Sequence, residues 1–150
     1  MSEIVTDKPM LGWREWVALP SLNIVQVKAK IDTGARSSAL HAFAIEPYEK
    51  GGAPWVMFAL HPIQKNTEFS VECHAPVKDR RMVTDSGGHK QRRYVIDTEL
   101  VIGQTLITAE MTLTNRDTML FRMLLGRTAM AKRFVIAPEA SYLQGKPLLP

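Results

Sequence analysis

The constraint that acts most strongly on this chain is hydrophobic alternation with a period of two, which commits a segment to the pleat of a β-strand rather than to a helix. From Val25 to Asp32 the odd positions Val25, Val27, Ala29 and Ile31 are apolar, while Gln26, Lys28, Lys30 and Asp32 are polar. Phe69, Val71, Cys73 and Ala75 alternate with Ser70, Glu72 and His74, and Ile107, Ala109, Met111 and Leu113 alternate with Thr108, Glu110 and Thr112. Strands buried on one face read this way, and antiparallel sheet is the natural inference. Trp55 to Leu60 and Tyr94 to Ile102 add two more strands, and Gly103-Gln104 is a turn signal after the second. Helix is expected only at Ser37 to Ala44 and at Thr128 to Phe134, where Thr128 could cap. The fold class expected is therefore mainly β.

Length sets the scale of this fold. A chain of 150 residues, 45% of them hydrophobic, is expected to form one domain over residues 1–150, with flexible tails at 1–8 and 144–150. A core of this size needs no disulfide or metal staple. The opening residues have neither the basic start nor the apolar run of a signal peptide, and no run of about 18 apolar residues occurs. A cytoplasmic address and no membrane partner are expected, and the single thiol, Cys73, is consistent with a reducing compartment.

Chemistry concentrates in Lys30-Ile31-Asp32-Thr33-Gly34-Ala35-Arg36-Ser37-Ser38. A strand delivers Asp32 at its end, and Gly34 permits a sharp turn that a Cβ would resist. A carboxylate then stands in a loop on a rigid element. Turn chemistry alone also explains the three residue types, with Asp32 accepting backbone N–H groups. Some ninety residues on, Met119 to Leu125 forms an apolar run that ends in Gly126-Arg127.

Together these motifs resemble the retropepsins, the single-domain aspartic proteases of retroviral type. They are closer still to bacterial retropepsin-like proteins labelled ATP-dependent zinc proteases, some of them linked with RimK-type glutamate ligases. The resemblance runs from about Gly12 to Pro138 and includes Arg92-Arg93, Leu113-Thr114-Asn115-Arg116 and Leu124-Leu125-Gly126-Arg127. It implies an acid-protease β-barrel with one or two short helices that forms a homodimer, each chain giving one aspartate to a shared site. Asp32, Thr33 and Gly34 become the catalytic motif, Thr33 buttressing the pair across the dimer. Gly126 and Arg127 become a structural motif. Ala35, Arg92, Arg93 and the glycine-tipped hairpin around Ser86, Gly87 and Gly88 become substrate-binding residues. An ATP-grasp glutamate ligase is an implied partner. Retroviral members carry an acidic residue where this chain has Arg36, so Arg127 must find another carboxylate or remain solvated.

The chain agrees on one chemical point: it holds a single Asp-Thr-Gly, and one carboxylate cannot act at once as base and acid. Two like carboxylates sharing a site hold one proton between them, so one activates water while the other polarises the scissile carbonyl. Phe134-Val135-Ile136 is the expected interface strand.

Lys78, Arg80, Arg81, Lys90, Arg92 and Arg93 against Asp79 and Asp85 give this stretch +4, equal to the net charge of the whole chain. Such a patch attracts an acidic polypeptide or a nucleic acid, or is an ordinary solvated face. Without aromatic residues between the bases, nucleic acid is the poorer fit. His41, His61, His74 and His89 are widely separated, and Cys73 and His74 point to opposite faces of one strand, so no metal site is expected. No phosphate-binding glycine loop is present and no cofactor is expected. Three readings remain: an aspartic peptidase acting on a peptide or isopeptide-like bond, a non-catalytic peptide-binding or regulatory partner of a glutamate ligase, and a zinc metallohydrolase.

Overall fold

In a computed structural model, residues 7–85, 87–116 and 119–147 are described. Among these described residues twelve strands follow in chain order: β1 (Met10–Leu11), β2 (Arg14–Leu19), β3 (Ile24–Ile31), β4 (Ser38–His41), β5 (Ala44–Lys50), β6 (Ala53–Leu60), β7 (Val71–Pro76), β8 (Asp79–Thr84), β9 (Lys90–Ile102), β10 (Thr105–Thr114), β11 (Met123–Leu125) and β12 (Val135–Ile136). A 3₁₀ turn at Pro20–Leu22 and a single helical turn, α1 (Arg127–Met130), complete the elements.

Six strands close into a barrel in the order β2–β3–β11–β4–β10–β9, with β9 returning to β2 through Ala18 and Val101. Closure removes the free sheet edges that would otherwise invite aggregation. β8 adds to the far end of β9 as a hairpin, from Asp79 opposite Val95 to Thr84 opposite Lys90. A separate antiparallel sheet, β5–β6–β7, lends Val56, Phe58, Leu60, Cys73 and Ala75 to the same apolar core as Leu40, Met111, Leu113, Met123 and Leu125.

Alternation located β10 well: Ile107, Ala109, Met111 and Leu113 are buried. In β3 the core begins one residue earlier, at Ile24, and Val25 is exposed because the β2–β3 pairing shifts register between Val17 and Leu19. Phe69 lies outside β7 and is exposed. Of the two expected helices, Ser37 to Ala44 enters β5 at its last residue and is otherwise built around the strand β4. Its four buried residues are claimed by hydrogen-bonding partners on both edges, β10 and β11, which overrides any local preference. The second is shortened to α1, where Gly126 rather than Thr128 is the N-cap and Thr128 Oγ1 donates to the Arg36 carbonyl.

Val135 and Ile136 pair in parallel with Met10 and Leu11 of the same chain, and Phe134 is buried, so the expected interface strand has a partner at home. Residue 144, the first of the expected flexible tail, is bonded to the body of the fold. Buried Glu15 accepts the backbone N–H groups of Gly12, Leu143 and Gln144 at 2.7, 3.0 and 3.0 Å, and the Gln144 side chain donates to the Met10 carbonyl. A carboxylate that satisfies three amides in the interior leaves all three orphaned when removed. Glu15→Ala should therefore lower stability by about 2–4 kcal/mol, read by urea denaturation, and expose residues 141–147 to proteolysis. An unchanged midpoint would show that the two ends are held by other contacts.

Candidate functional site

Asp32 follows the last residue of β3, and its position is set by backbone pairing: its N–H donates to the Leu125 carbonyl of β11 at 2.9 Å. The carboxylate then folds back on its own loop, Oδ1 accepting the N–H groups of Gly34 at 2.9 Å and Ala35 at 3.2 Å. The turn expected from residue type is thus present, and Oδ2 accepts no hydrogen bond from the described residues. A Cβ at Gly34 would stand 3.2 Å from Oδ1, so a side chain here would press on the carboxylate, whereas the dihedral angle itself asks for no glycine. Asp32 and Ala35 are half-buried, while Thr33 and Gly34 lie exposed.

The second motif braces the first. Arg127 N–H donates to the Ala35 carbonyl at 2.7 Å, Thr128 N–H to that of Arg36 at 3.1 Å, and Gly126 N–H to Ser38 Oγ at 3.0 Å. Among the described residues Arg127 is bonded to no carboxylate, but it does not stay merely solvated. Its guanidinium donates to the carbonyls of Thr33 and Gly34 at 3.1 and 3.4 Å, tying the helical turn to the aspartate loop. Gly126 has no room for a side chain, since a Cβ would meet the Ser37 carbonyl carbon and oxygen at 2.5 Å.

Register shows which side chains share the face of Asp32. Lys30 stands opposite Leu124, Leu124 opposite Ala39, Ala39 opposite Thr112, and Thr112 opposite Val95. Residues paired across a sheet point the same way, and so do residues two apart. Asp32, Arg122, His41, Thr114 and Arg93 therefore occupy the face opposite the apolar core. Thr112 Oγ1 links two of its elements, donating to the Ser38 carbonyl and accepting from Arg93. Sequence reasoning passed over Ser38 and Arg122; the visible signal for Arg122 was one charge inside the apolar run 119–125.

The glycine-tipped hairpin is present as β8–β9. Asp85 Oδ1 accepts the N–H groups of Gly87 and His89, Gly88 adopts φ +83°, and Asp85 Oδ2 is paired with Arg116. These bonds hold the Asp85 carboxyl down at about 2. Ser86 lies outside the described residues. The basic stretch is less of a patch than its count of +4 implies. Lys78 and Arg81 are paired with Asp97, Glu110 and Asp79, Arg80 lies over the Tyr94 ring, Arg93 is buried, and Lys90 and Arg92 are exposed.

The zinc label carried by the resembling family finds no fitting donors. Among the described residues no three His, Cys, Asp or Glu side chains gather. His41 faces three arginines, His61 stacks on Phe43, His74 bonds Tyr48 and Glu72, and His89 sits on the hairpin tip. Burial pushes the Cys73 thiol up to about 12, and its sulfur donates to the Leu22 carbonyl. No helix of the described residues is long and apolar enough to cross a membrane.

A closed six-stranded barrel with one Asp-Thr-Gly loop, cross-braced by Gly-Arg, defines a retropepsin-like β-barrel protein. Residues 10–147 match the family model described as RimB-like, retropepsin-like aspartic endopeptidase RimB, and the chain belongs to that family. Curated relatives from Shewanella pealeana, Parasynechococcus marenigrum and Desulfotalea psychrophila, each named a probable alpha-L-glutamate ligase, are 42%, 42% and 41% identical to it over 140, 141 and 146 residues. These alignments cover 93%, 94% and 97% of this chain but only 31%, 30% and 31% of the relatives, so the chain spans about a third of their length. A crystal structure of a Legionella pneumophila protein of unknown function superimposes with a TM-score of 0.74 at 26% identity, covering 91% of this chain and 98% of that one.

His41 supplies a measurable property of this face. Burial first, then Arg93, Arg116 and Arg122, bring its imidazole down from 6.5 to about 4. The unfolded chain then binds the extra proton between these values, so stability falls as pH drops from about 6.5 toward 4, by up to about 3 kcal/mol in all. Denaturation midpoints measured at pH 7, 5.5 and 4.5 should decline, and His41→Gln should flatten that decline whatever its effect at pH 7. An equal slope in both proteins would assign the acid sensitivity elsewhere.

Proposed function

We propose that this chain is one subunit of a homodimeric aspartic peptidase that cleaves a peptide or isopeptide-like bond. The observation that carries this reading is the Asp32 carboxylate, presented from the end of β3 in a loop fixed by Leu125 and Arg127, with one such aspartate per chain. Family membership supports it.

In such a dimer the two copies of Asp32 share one proton. The ionised carboxylate takes a proton from water as the oxygen attacks the scissile carbonyl, and its protonated partner hydrogen-bonds the carbonyl oxygen and stabilises the developing charge. Ala35 and the Gly87-Gly88 tip flank the substrate, with Thr33 and Gly34 at the contact between copies. The bound peptide is acidic, consistent with the arginines on the face of Asp32 and with exposed Lys90 and Arg92.

A second reading is favoured by the relatives named probable alpha-L-glutamate ligase, in which a region like this chain makes up about a third of the length. In that reading the chain binds peptide without cleaving it and serves a glutamate ligase as partner. Asp32→Asn separates the two, because it removes the general base while keeping size and most hydrogen bonds. Cleavage of a peptide library by the wild-type protein should fall at least 10³-fold in the variant, with sedimentation showing a dimer at micromolar concentration for both. Retention of the cleavage rate, or cleavage by a strictly monomeric species, would overturn the shared-aspartate mechanism; wild-type protein that binds peptides but never cuts them would establish the second reading.

A further inference from the structure

The two ends of the described chain leave the fold side by side. The Gln144 side chain donates to the Met10 carbonyl, and buried Glu15 holds Gly12, Leu143 and Gln144 together. Between Pro9, the turn at Gly103-Gln104 and the segment from Leu143 to Lys146 lies a cleft of about 400 Å³. Beside it runs a row of rings and cations. Tyr142 stacks on Trp16 with centroids 5.8 Å apart, Arg14 lies 4.5 Å from the Trp13 ring and 4.9 Å from that of Tyr142, and Lys28 and Lys146 stand 5.1 and 5.5 Å from Trp16. None of these three cations forms an ion pair among the described residues: Arg14 donates to Ser141 Oγ and Lys28 to Gln64 Oε1, both neutral. A ring holds a cation in place without cancelling its charge, whereas a carboxylate does both.

Single exposed apolar residues are ordinary, but this surface is not a scatter of them. Trp, Tyr and Arg are gathered in one patch, with Met10 and Leu143 exposed at its margin, and these three residue types carry most of the energy at the centre of protein–protein contacts. What covers the patch follows from the relatives named probable alpha-L-glutamate ligase. A region like this chain makes up about a third of them, so the greater part of each relative is joined to that region through one end or both. In this fold either end brings the added chain out beside the same patch. The patch also adjoins the candidate site: the Trp13 carbonyl accepts the N–H of Ile31, one residue before Asp32, and the Trp13 ring packs edge-on against Phe121, next to Arg122.

We propose that Trp13, Arg14, Trp16 and Tyr142, with the cleft beside them, form the docking face for the catalytic part of a glutamate ligase. The partner seats an apolar side chain in the cleft and brings carboxylates to Arg14, Lys28 and Lys146, which the fold itself leaves without them. The assignment rests on the second reading above, in which the chain serves such a ligase, and adds to it the surface through which the two meet. It also gives the two cationic regions of the chain different tasks. Lys78 and Arg81 are spent on Asp79, Asp97 and Glu110 within the fold, whereas the ring-held cations keep their charge for a partner.

The test measures association apart from cleavage. The Asp32→Asn chain is titrated by calorimetry with a purified alpha-L-glutamate ligase that carries no region of this kind. Trp16→Ala should weaken the complex at least tenfold. Lys146→Glu, an exposed change that the fold does not depend on, should weaken it at least fivefold, and Met82→Ala, an exposed position on β8, should leave it unchanged. Raising salt from about 50 to 300 mM should weaken the complex at least threefold in the parent and less in Lys146→Glu. Carbodiimide, which joins amines to carboxylates only where they touch, should link Lys28 or Lys146 to acidic residues of the ligase. Binding that Trp16→Ala and Lys146→Glu both leave intact, or cross-links confined to other lysines, would overturn the face while the partner reading stands. A complete lack of association would overturn that reading and the face with it. Sedimentation in which the same two variants dissolve a homodimer would assign the face to a second copy of this chain and overturn its assignment to the ligase.

Discussion

Three residues, Met123 to Leu125, are hydrogen-bonded on both edges, parallel to β3 and antiparallel to β4, and this double pairing is what the site depends on. A short strand inserted between two others is held by backbone bonds on either side, so it cannot slide without breaking both ladders. Its carbonyl at Leu125 receives Asp32, and the residue after it, Gly126, comes so close to Ser37 that no side chain fits between them. Position of the carboxylate is therefore a consequence of barrel closure. Side chains of Met123 and Leu125 pack in the core, whereas Leu124 lies on the other face with Asp32, so the element that stabilises the fold is the element that presents the chemistry.

What was legible in the sequence follows the same physics. β10 could be read because it separates an apolar core from a polar surface along most of its length, and each second side chain records the difference. β4 could not. All four of its residues are buried, so Ser38-Ala39-Leu40-His41 carries no alternation, and a short buried strand looks like the start of a helix until its neighbours are known. β5 escaped for the opposite reason: as an edge strand with Glu46, Pro47 and Glu49 exposed, it has too little buried surface to leave a pattern. Val25 shows the limit within a correctly placed strand, where a register shift moves the inward position by one.

The site divides similarly. Asp-Thr-Gly and Gly-Arg are contiguous words whose roles depend mainly on local turns and one crossing, and both could be found from residue type. The basic stretch is a different matter, because neutralisation is tertiary. Glu110 lies on β10, outside the stretch that was summed, yet it accepts two hydrogen bonds from Arg81 and one ion pair from Lys78, and these hold its carboxyl down at about 2. A count along the chain cannot separate Arg92 from Arg93 either. Only the pleat does so, sending one guanidinium to water and the next beneath the polar face.

These two faces of one sheet answer different demands. On the inner face the large side chains are mostly apolar and buried, with Glu15 the charged exception that its three backbone amides satisfy, and apolar substitutions there act on stability through cavities or strain. Across the same backbone stand Asp32, His41 and Arg93, with a buried guanidinium at Arg93 and, at His41, a buried Nδ1 that has no hydrogen-bond partner among the described residues. A protein shaped only for stability would replace such groups with apolar ones, since exchanging buried ions for well-packed hydrocarbons is often neutral or stabilising. Their presence is a cost borne by the core on behalf of the opposite face. It follows that variants which raise stability without altering the core should cluster at these polar positions, and that each such gain should come with a loss in what the face can bind.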